Sequence, residues 1–408
     1  MNVRQVVDAL IIPVGALSVF AISLLADYAG LTTAGMGRGQ WALLIVAVGV
    51  AIGATALKLK PLAFLASRGV GGPEVVLAAT SCALSLVVAD VLARHFAGPA
   101  YVATRYGWDV PANATQQWRV EDAKGQWRDV RVQHSNHGFK RWGDTLGTPR
   151  VLVIGDSFTE MTGVSNGEEW YSYLERQFPG RQWFVFGAGG YGTLQELMVL
   201  EDVFSSVQPQ VILWQFCVND YSDNLFEYGR ALYPTSNMEV RPYLEGDTIV
   251  YRLPLPFAPL RRRSFLADRI LYEYDHTVQD RYTARRARDP EGERKTIVAW
   301  EAGIEKQFDS AATLVTKRIL ERVRRRAGAI PIYFFHACGP LGDRERTLCT
   351  TVGLHCIEGV TEAVNAVGAT GAEVRRVNDG HWNLRGNKVA GEFLAGYLQT
   401  QPAFSTAR

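Results

Sequence analysis

The chain lacks a surplus of charge of either sign: 43 Lys and Arg face 41 Asp and Glu, a formal net of +2 over 408 residues. That balance gives no reason to expect nucleic acid as a partner, because such binding draws on clustered cationic charge. Cysteine is scarce, five residues in all, and no spacing among them resembles a zinc site. Cys82 falls in an apolar run, while Cys217, Cys338, Cys349 and Cys356 fall in the polar part. Buried free thiols are the plain expectation. An oxidising compartment would permit one disulfide, Cys349–Cys356 or Cys338–Cys349. No internal repeat or low-complexity tract stands out. The glycine-rich run at 187–192 lacks both the GxGxxG order and the Lys-Ser/Thr of a phosphate loop, so it is not read as a nucleotide site.

What the chain does have is an uneven distribution of apolar residues. Residues 1–95 are mostly apolar and the remainder reads as a soluble α/β protein. Residues 9–26 and 41–57 are free of charge, and residues 75–93 carry Asp90 near their end. A cleaved signal peptide fits the first run poorly, since it contains Pro13, follows Asp8 and precedes two further runs. The expectation is a membrane anchor of three transmembrane helices at 1–95, with Asp90 at the membrane interface. Arg4, Lys58, Lys60 and Arg68 would share one side against Arg38 on the other, which places the N-terminus in the cytoplasm and the large domain on the exoplasmic or periplasmic side. If the third run does not span, the large domain falls on the cytoplasmic side.

Residues 96–149 read as a linker with an accessory hairpin, its strands at 117–121 and 126–132. His134 and His137 follow, with no carboxylate or cysteine cluster beside them, and are expected at the surface. From residue 150 the pattern alternates. Strands are expected at 151–154, 183–186, 211–217, 330–335 and 354–357, and helices near 167–178, 194–206, 298–327, 344–352 and 388–399. This is α/β patterning, a parallel sheet with helices on both faces in a flavodoxin-like order, over 150–400. Residues 221–297 interrupt it, rich in aromatics, Pro and Arg, as an insertion or lid over the rim of the strand ends. Arg261, Arg262 and Arg263 and the run 281–288 are read as a solvated basic surface or a site for anionic polymer or lipid headgroups.

Chemistry-bearing residues recur where these strands end. Gly155-Asp156-Ser157 follows the first, placing a hydroxyl at a strand's carboxyl end near a helix start. The second runs into a glycine cluster that includes Gly190, where a backbone N–H can approach a substrate oxygen with no Cβ in the way. After the third comes Asn219, whose amide can donate. Before the final helix stands Asp379-Gly380-His381, the only one of seven histidines with an acid two residues earlier and this terminal placement. A nucleophile, a base, an orienting acid and oxyanion donors are what serine acyl transfer requires.

These blocks, in this order, resemble the SGNH/GDSL hydrolase superfamily of esterases, lipases, carbohydrate acyl-esterases and some O-acyltransferases. Gly155-Asp156-Ser157 matches the first block, Gly190 the second, Asn219-Asp220 the third, and Asp379 and His381 with Asn383 and Gly386 the last. The similarity runs from about Val151 to Leu398 and leaves the insertion unexplained. It implies Ser157 as nucleophile, His381 as base, Asp379 as orienting acid, and an oxyanion hole of Ser157, Gly190 and Asn219, with no metal or organic cofactor. Two departures stand out. The acid and histidine are one residue closer than the common Asp-x-x-His, so that Asn378 occupies the usual acid position. Cys217 stands where the third block has glycine, and is read as a packed strand-end thiol. His336, at the end of the strand expected at 330–335, is the alternative to His381 as base, with no neighbouring acid evident.

The resemblance implies a serine hydrolase cleaving carboxylic esters, and together with the expected membrane anchor it suggests O-acyl groups of cell-envelope or secreted glycans as the substrate. The alternatives are an O-acyltransferase moving an acyl group to a glycan, which would need a partner membrane protein, and a catalytically silent glycan-binding module.

Overall fold

In the computed structural model, runs of aliphatic and aromatic residues become parallel strands buried on both faces, the expected fate of near-continuous apolar sequence. The structure describes residues 102–121, 126–233, 240–287, 293–376 and 379–405, together with Ser85. Ser85 apart, the three apolar runs lie outside those residues. Among the described residues no helix is long and apolar enough to cross a membrane.

The main sheet holds β1 (Arg141–Trp142), β2 (Arg150–Gly155), β3 (Gln182–Gly187), β4 (Val211–Phe216), β5 (Ile332–His336) and β6 (His355–Ile357). Their spatial order is β6-β5-β4-β2-β3-β1. β2 to β6 are parallel, and in chain order they lie 2-1-3-4-5, the flavodoxin-like arrangement. The two-residue β1 pairs antiparallel with β3, so the sheet is mixed where a purely parallel one was expected.

Alternation along each strand divides the core between the two faces. Leu152, Ile154, Phe184, Phe186, Ile212 and Trp214 point to one face, and Val151, Val153, Trp183, Val185, Val211 and Leu213 to the other. The first face is covered by α3 (Thr193–Val207), α5 (Glu293–Ala327) and α6 (Asp343–Val352). α2 (Trp170–Gln177), α7 (Val360–Ala369) and α8 (Leu384–Gln399) cover the second. The result is three layers. Burying each large side chain contributes about 1.5–3 kcal/mol, so this double face is the main cohesive element. α7 was not anticipated, and α8 begins four residues before its expected start at 388, at Leu384.

Strands Thr115–Glu121 and Trp127–Gln133 form the accessory hairpin. The region expected as an insertion, 221–297, begins within α4 (Asn219–Asn224) and contains a helix at Phe226–Ala231 and a hairpin of Arg241–Glu245 with Thr248–Arg252. Residues 257–280 belong to a compact unit separate from 101–256 with 281–408. Within them Arg261 and Asp275 form a buried ion pair, which corrects the expectation of a wholly solvated basic run.

Two expectations about polar residues fail for reasons the fold makes plain. His134 is buried, because Val130, Val132 and His134 alternate onto one inward face. Burial, and then the Lys140 charge, push its pKa down to about 3. His137 is exposed and stacks on Trp142. Cys217 is not a free thiol: it pairs with Cys338, the Cα atoms 5.3 Å apart, because β4 and β5 are neighbours whose ends bring the two together. Cys338 is thereby unavailable to Cys349, which bonds Cys356 instead, one of the two pairings expected.

Candidate active site

The turn after β2 is held by packing that tolerates no side chain at Gly155, where a Cβ would collide with Gln215 Oε1 and Thr159 Oγ1. Gln215 is buried on β4. Its Oε1 accepts from the Asp156 N–H at 3.1 Å and from the Thr159 hydroxyl at 2.9 Å. Asp156 caps α1 (Ser157–Glu160) by accepting from the Phe158 N–H at 2.9 Å, a contact of about 1 kcal/mol. Ser157 is the first residue of that helix, placed by restraints on both of its neighbours.

His381 lies on the short strand Asp379–Trp382, paired antiparallel with Arg375–Arg376. Trp382 is wholly buried, and Phe158 lies against both rings, 4.7 Å from His381 and 5.1 Å from Trp382 between centroids. Asn383 then caps α8, accepting from Gly386 N–H at 3.0 Å. The buried Asn387 accepts from the Trp170 N–H at 3.0 Å and donates to the carbonyls of Trp382, at 3.2 Å, and Asn383, at 3.0 Å.

These two local structures meet. His381 Nε2 lies 2.6 Å from Ser157 Oγ. That is hydrogen-bond distance between a hydroxyl and a potential base. The Asp379 backbone lies on the His381 strand, whereas its side chain, and Asn378 entirely, lie outside the described residues. Gly190 follows β3 with φ +74°, a left-handed conformation that suits glycine. Asn219 opens α4 after β4, and its Nδ2 donates to Asp223 Oδ2 at 2.9 Å. Ser157, Gly190 and Asn219 thus follow three adjacent parallel strands, with β2 paired on either side by β3 and β4.

His336, the substitute base, is buried, with Nδ1 2.6 Å from the Gly339 carbonyl oxygen. Acids do stand near it, since Glu345 and Asp156 raise its pKa against a larger lowering by burial. No hydrogen bond joins it to Ser157 among the described residues.

Beneath the strand ends lie buried carboxyls. Burial raises the pKa of Asp156; burial, then the charges of Asp220 and Asp156, raises Glu196 well above the usual carboxylate range, and burial, then the charges of Asp156 and Asp223, does the same to Asp220. Glu160, fully buried, is pushed up to about 7 by burial, while its Oε2 accepts from the Gly189 N–H at 2.6 Å. Among the described residues, one group of metal-ligating types is close enough to share an ion: Asp156, Cys217 and Cys338. Its two sulfurs are bonded to each other and offer no thiolate. A cleft of 490 Å³ lined by Arg141, Trp142, Glu175, Arg181 and Trp183, among others, includes none of the site residues.

Gln215, Asp223 and Asn387 are bonded to residues of the candidate site or to their neighbours, and no motif marks them. A glutamine inside the apolar run VILWQF was a visible signal for the first, since a buried amide needs partners. Asp223 is four residues after Asn219, a helical spacing that becomes meaningful only once α4 is known.

No family model and no characterised protein sequence matches the chain. Among solved structures it is similar to a member of the lipolytic G-D-S-L family from Veillonella parvula DSM 2008, at 10% identity and TM-score 0.33, over 62% of this chain and 99% of that one. An acetyl xylan esterase, Est2A, from the rumen bacterium Butyrivibrio proteoclasticus is similar at 12% identity and TM-score 0.28, over 69% and 68%. The esterase domain of a Rhodothermus marinus protein is similar at 10% identity and TM-score 0.26, over 70% and 98%. Likenesses this distant carry no weight for the reaction.

Proposed function

We propose that the chain is a serine hydrolase of carboxylic esters. The observation that carries this reading is the 2.6 Å contact between His381 Nε2 and Ser157 Oγ. Ser157 Oγ attacks the ester carbonyl carbon as its proton passes to His381 Nε2. The carbonyl oxygen becomes an oxyanion facing the backbone N–H groups of Ser157 and Gly190 and the Asn219 amide. Collapse of the tetrahedral species expels the alcohol, which takes the proton from His381. Water, deprotonated by the same imidazole, then attacks the acyl-serine and releases the acid. Asp379 is the proposed orienting acid. The apolar runs at 9–26, 41–57 and 75–93 support a membrane-held enzyme, and the Lys/Arg bias supports an exoplasmic catalytic domain. The proposed substrate is an O-acyl group on a cell-envelope or secreted glycan.

The test is turnover of p-nitrophenyl acetate by the 408-residue chain and by Ser157→Ala, with and without a glycan acceptor. The variant should lose roughly 10³-fold or more in kcat, and undiminished turnover overturns the assignment. Transfer to the acceptor in excess of hydrolysis would make the protein an acyltransferase. A reporter fused at the C-terminus that scores as cytoplasmic overturns the location.

A further inference from the structure

The two proposed oxyanion donors beyond Ser157 follow separate strands, Gly190 after β3 and Asn219, at the start of α4, after β4. One buried guanidinium is bonded towards both. Arg241 opens the hairpin strand Arg241–Glu245 and is 1% exposed. Its Nη1 lies 2.6 Å from Asp223 Oδ1, and its Nη2 donates to the Gly190 carbonyl at 2.9 Å. The other Asp223 oxygen, Oδ2, accepts from Asn219 Nδ2. A carboxylate can only accept, so Asp223 selects which end of the Asn219 amide faces it, and the second N–H of that amide is left to donate elsewhere.

Trp108 completes the arrangement. Its ring lies under the guanidinium, 5.2 Å from centroid to Arg241 Cζ, and its Nε1 donates to the Gly189 carbonyl at 3.1 Å. That carbonyl belongs to the peptide unit that carries the Gly190 N–H. A hydrogen bond received at one end of a peptide polarises the donor at the other. The Tyr191 hydroxyl donates in turn to the Trp108 carbonyl, and Glu160 takes the Gly189 N–H. A buried ion pair costs a desolvation penalty that its own attraction scarcely repays, so stability alone is a poor reason for placing Arg241 here.

We infer that Arg241 and Trp108 are positioning residues that fix the Asn219 amide and the Gly190 N–H, which follow separate strands, towards one developing oxyanion. The inference rests on the reading of Ser157 as nucleophile. It gives the inserted hairpin and the segment before the sheet a part in the reaction that the four motif blocks do not contain.

The experiment compares p-nitrophenyl acetate hydrolysis by the 408-residue chain, Arg241→Gln and Trp108→Phe, each also in an Asn219→Ala background, with Ser157→Ala run alongside. Misplaced donors weaken only the transition state, so kcat should fall roughly 10- to 100-fold with KM unchanged. Much of the Arg241→Gln effect should vanish once Asn219 is already alanine, because its route through Asp223 has lost its target. A purely structural role would instead lower the melting temperature and scale kcat by one factor in both backgrounds, and that result overturns the inference. Ser157→Ala separates the two levels: full activity there removes the hydrolase reading, whereas a dead Ser157→Ala beside a fully active Arg241→Gln removes only the positioning role. Should Arg241→Gln fail to fold, Trp108→Phe keeps a ring and loses only the indole donor, and its kcat decides: a fall supports the inference and no change overturns it.

Discussion

His381 Nε2 lies 2.6 Å from Ser157 Oγ although 224 residues separate them in the chain. Nothing local can produce that approach. It needs β2 to end in a turn that presents Ser157, and α8 to pack beside α2 so that the strand before it delivers the imidazole. Phe158, wedged against His381 and Trp382, joins the two sides.

A pair that acts as a unit is grossly non-additive. His381→Ala alone should lower kcat for p-nitrophenyl acetate by roughly 10³-fold or more, and adding Ser157→Ala should lower it little further. Steady-state kinetics on the two single variants and the double variant check this. Losses that multiply would mean that the two side chains act independently despite their contact.

The pH dependence of folding should carry the signature of Glu160. Burial raises its pKa from 4.5 to about 7, against the opposing charge of Lys140. The folded state therefore holds the proton more tightly than the unfolded chain across that window. Stability is greatest below pH 4.5 as far as this group is concerned, falls as pH rises from 4.5 to about 7, and levels off above. The loss amounts to about 3 kcal/mol at most. Other groups facing or near it titrate too: Asp109 is raised to about 6 and Lys140 lowered to about 8, both chiefly by burial. Glu160→Gln keeps an acceptor for the Gly189 N–H and abolishes the group's own titration. Denaturant melts at pH 5 and pH 8 should show the native chain losing stability relative to the variant, and parallel curves would exclude Glu160 as the source.

The strands of the sheet and the residues at their ends were legible in the sequence for a physical reason. Parallel strands buried on both faces appear as apolar runs, and a turn that must present a hydroxyl needs small residues such as Gly155 beside it. What escaped depends on which strands become neighbours. Cys217 and Cys338 follow adjacent strands, a relation invisible until the strand order is known, so of the two pairings offered only Cys349–Cys356 forms and Cys217–Cys338 was not foreseen. Trp108 and Arg241 sit in stretches with no motif and gain meaning only from the loop they touch. His134 is the opposite case. Val130, Val132 and His134 share a two-residue period, and that alternation marks the histidine as inward-facing, a signal that the expectation of a surface position passed over.

The disulfides give a test of compartment. Cys217–Cys338 and Cys349–Cys356 together use four of the five cysteines. Chain recovered from an oxidising compartment and denatured without reductant should show one thiol reactive with Ellman's reagent, and five after reduction. Five free thiols before reduction in freshly isolated protein, with alkylation during lysis, would place the domain in a reducing compartment and count against the proposed exoplasmic location.

Asn387 offers the sharpest separation of folding from chemistry. Its side chain is buried and saturated by the Trp170 N–H and by the carbonyls of Trp382 and Asn383. It thus ties α2 to the segment that carries His381. Asn387→Ala strands the buried Trp170 N–H and takes a donor from the Trp382 carbonyl, while the Asn383 carbonyl keeps the backbone N–H of residue 387; each unsatisfied group costs about 1–3 kcal/mol, so the midpoint of denaturant unfolding should fall well outside experimental scatter. Asn387→Asp keeps the acceptor for Trp170 and removes both donors, leaving a carboxylate facing two carbonyl oxygens. Its loss should shrink as pH is lowered and the acid regains a proton with which to donate. The kinetic consequence follows from position. With the Trp382 carbonyl released, His381 loses a restraint one residue away, so kcat should fall while KM stays unchanged. A variant that melts early yet turns over at the native rate would show that Phe158 and Trp382 packing alone hold the imidazole in place.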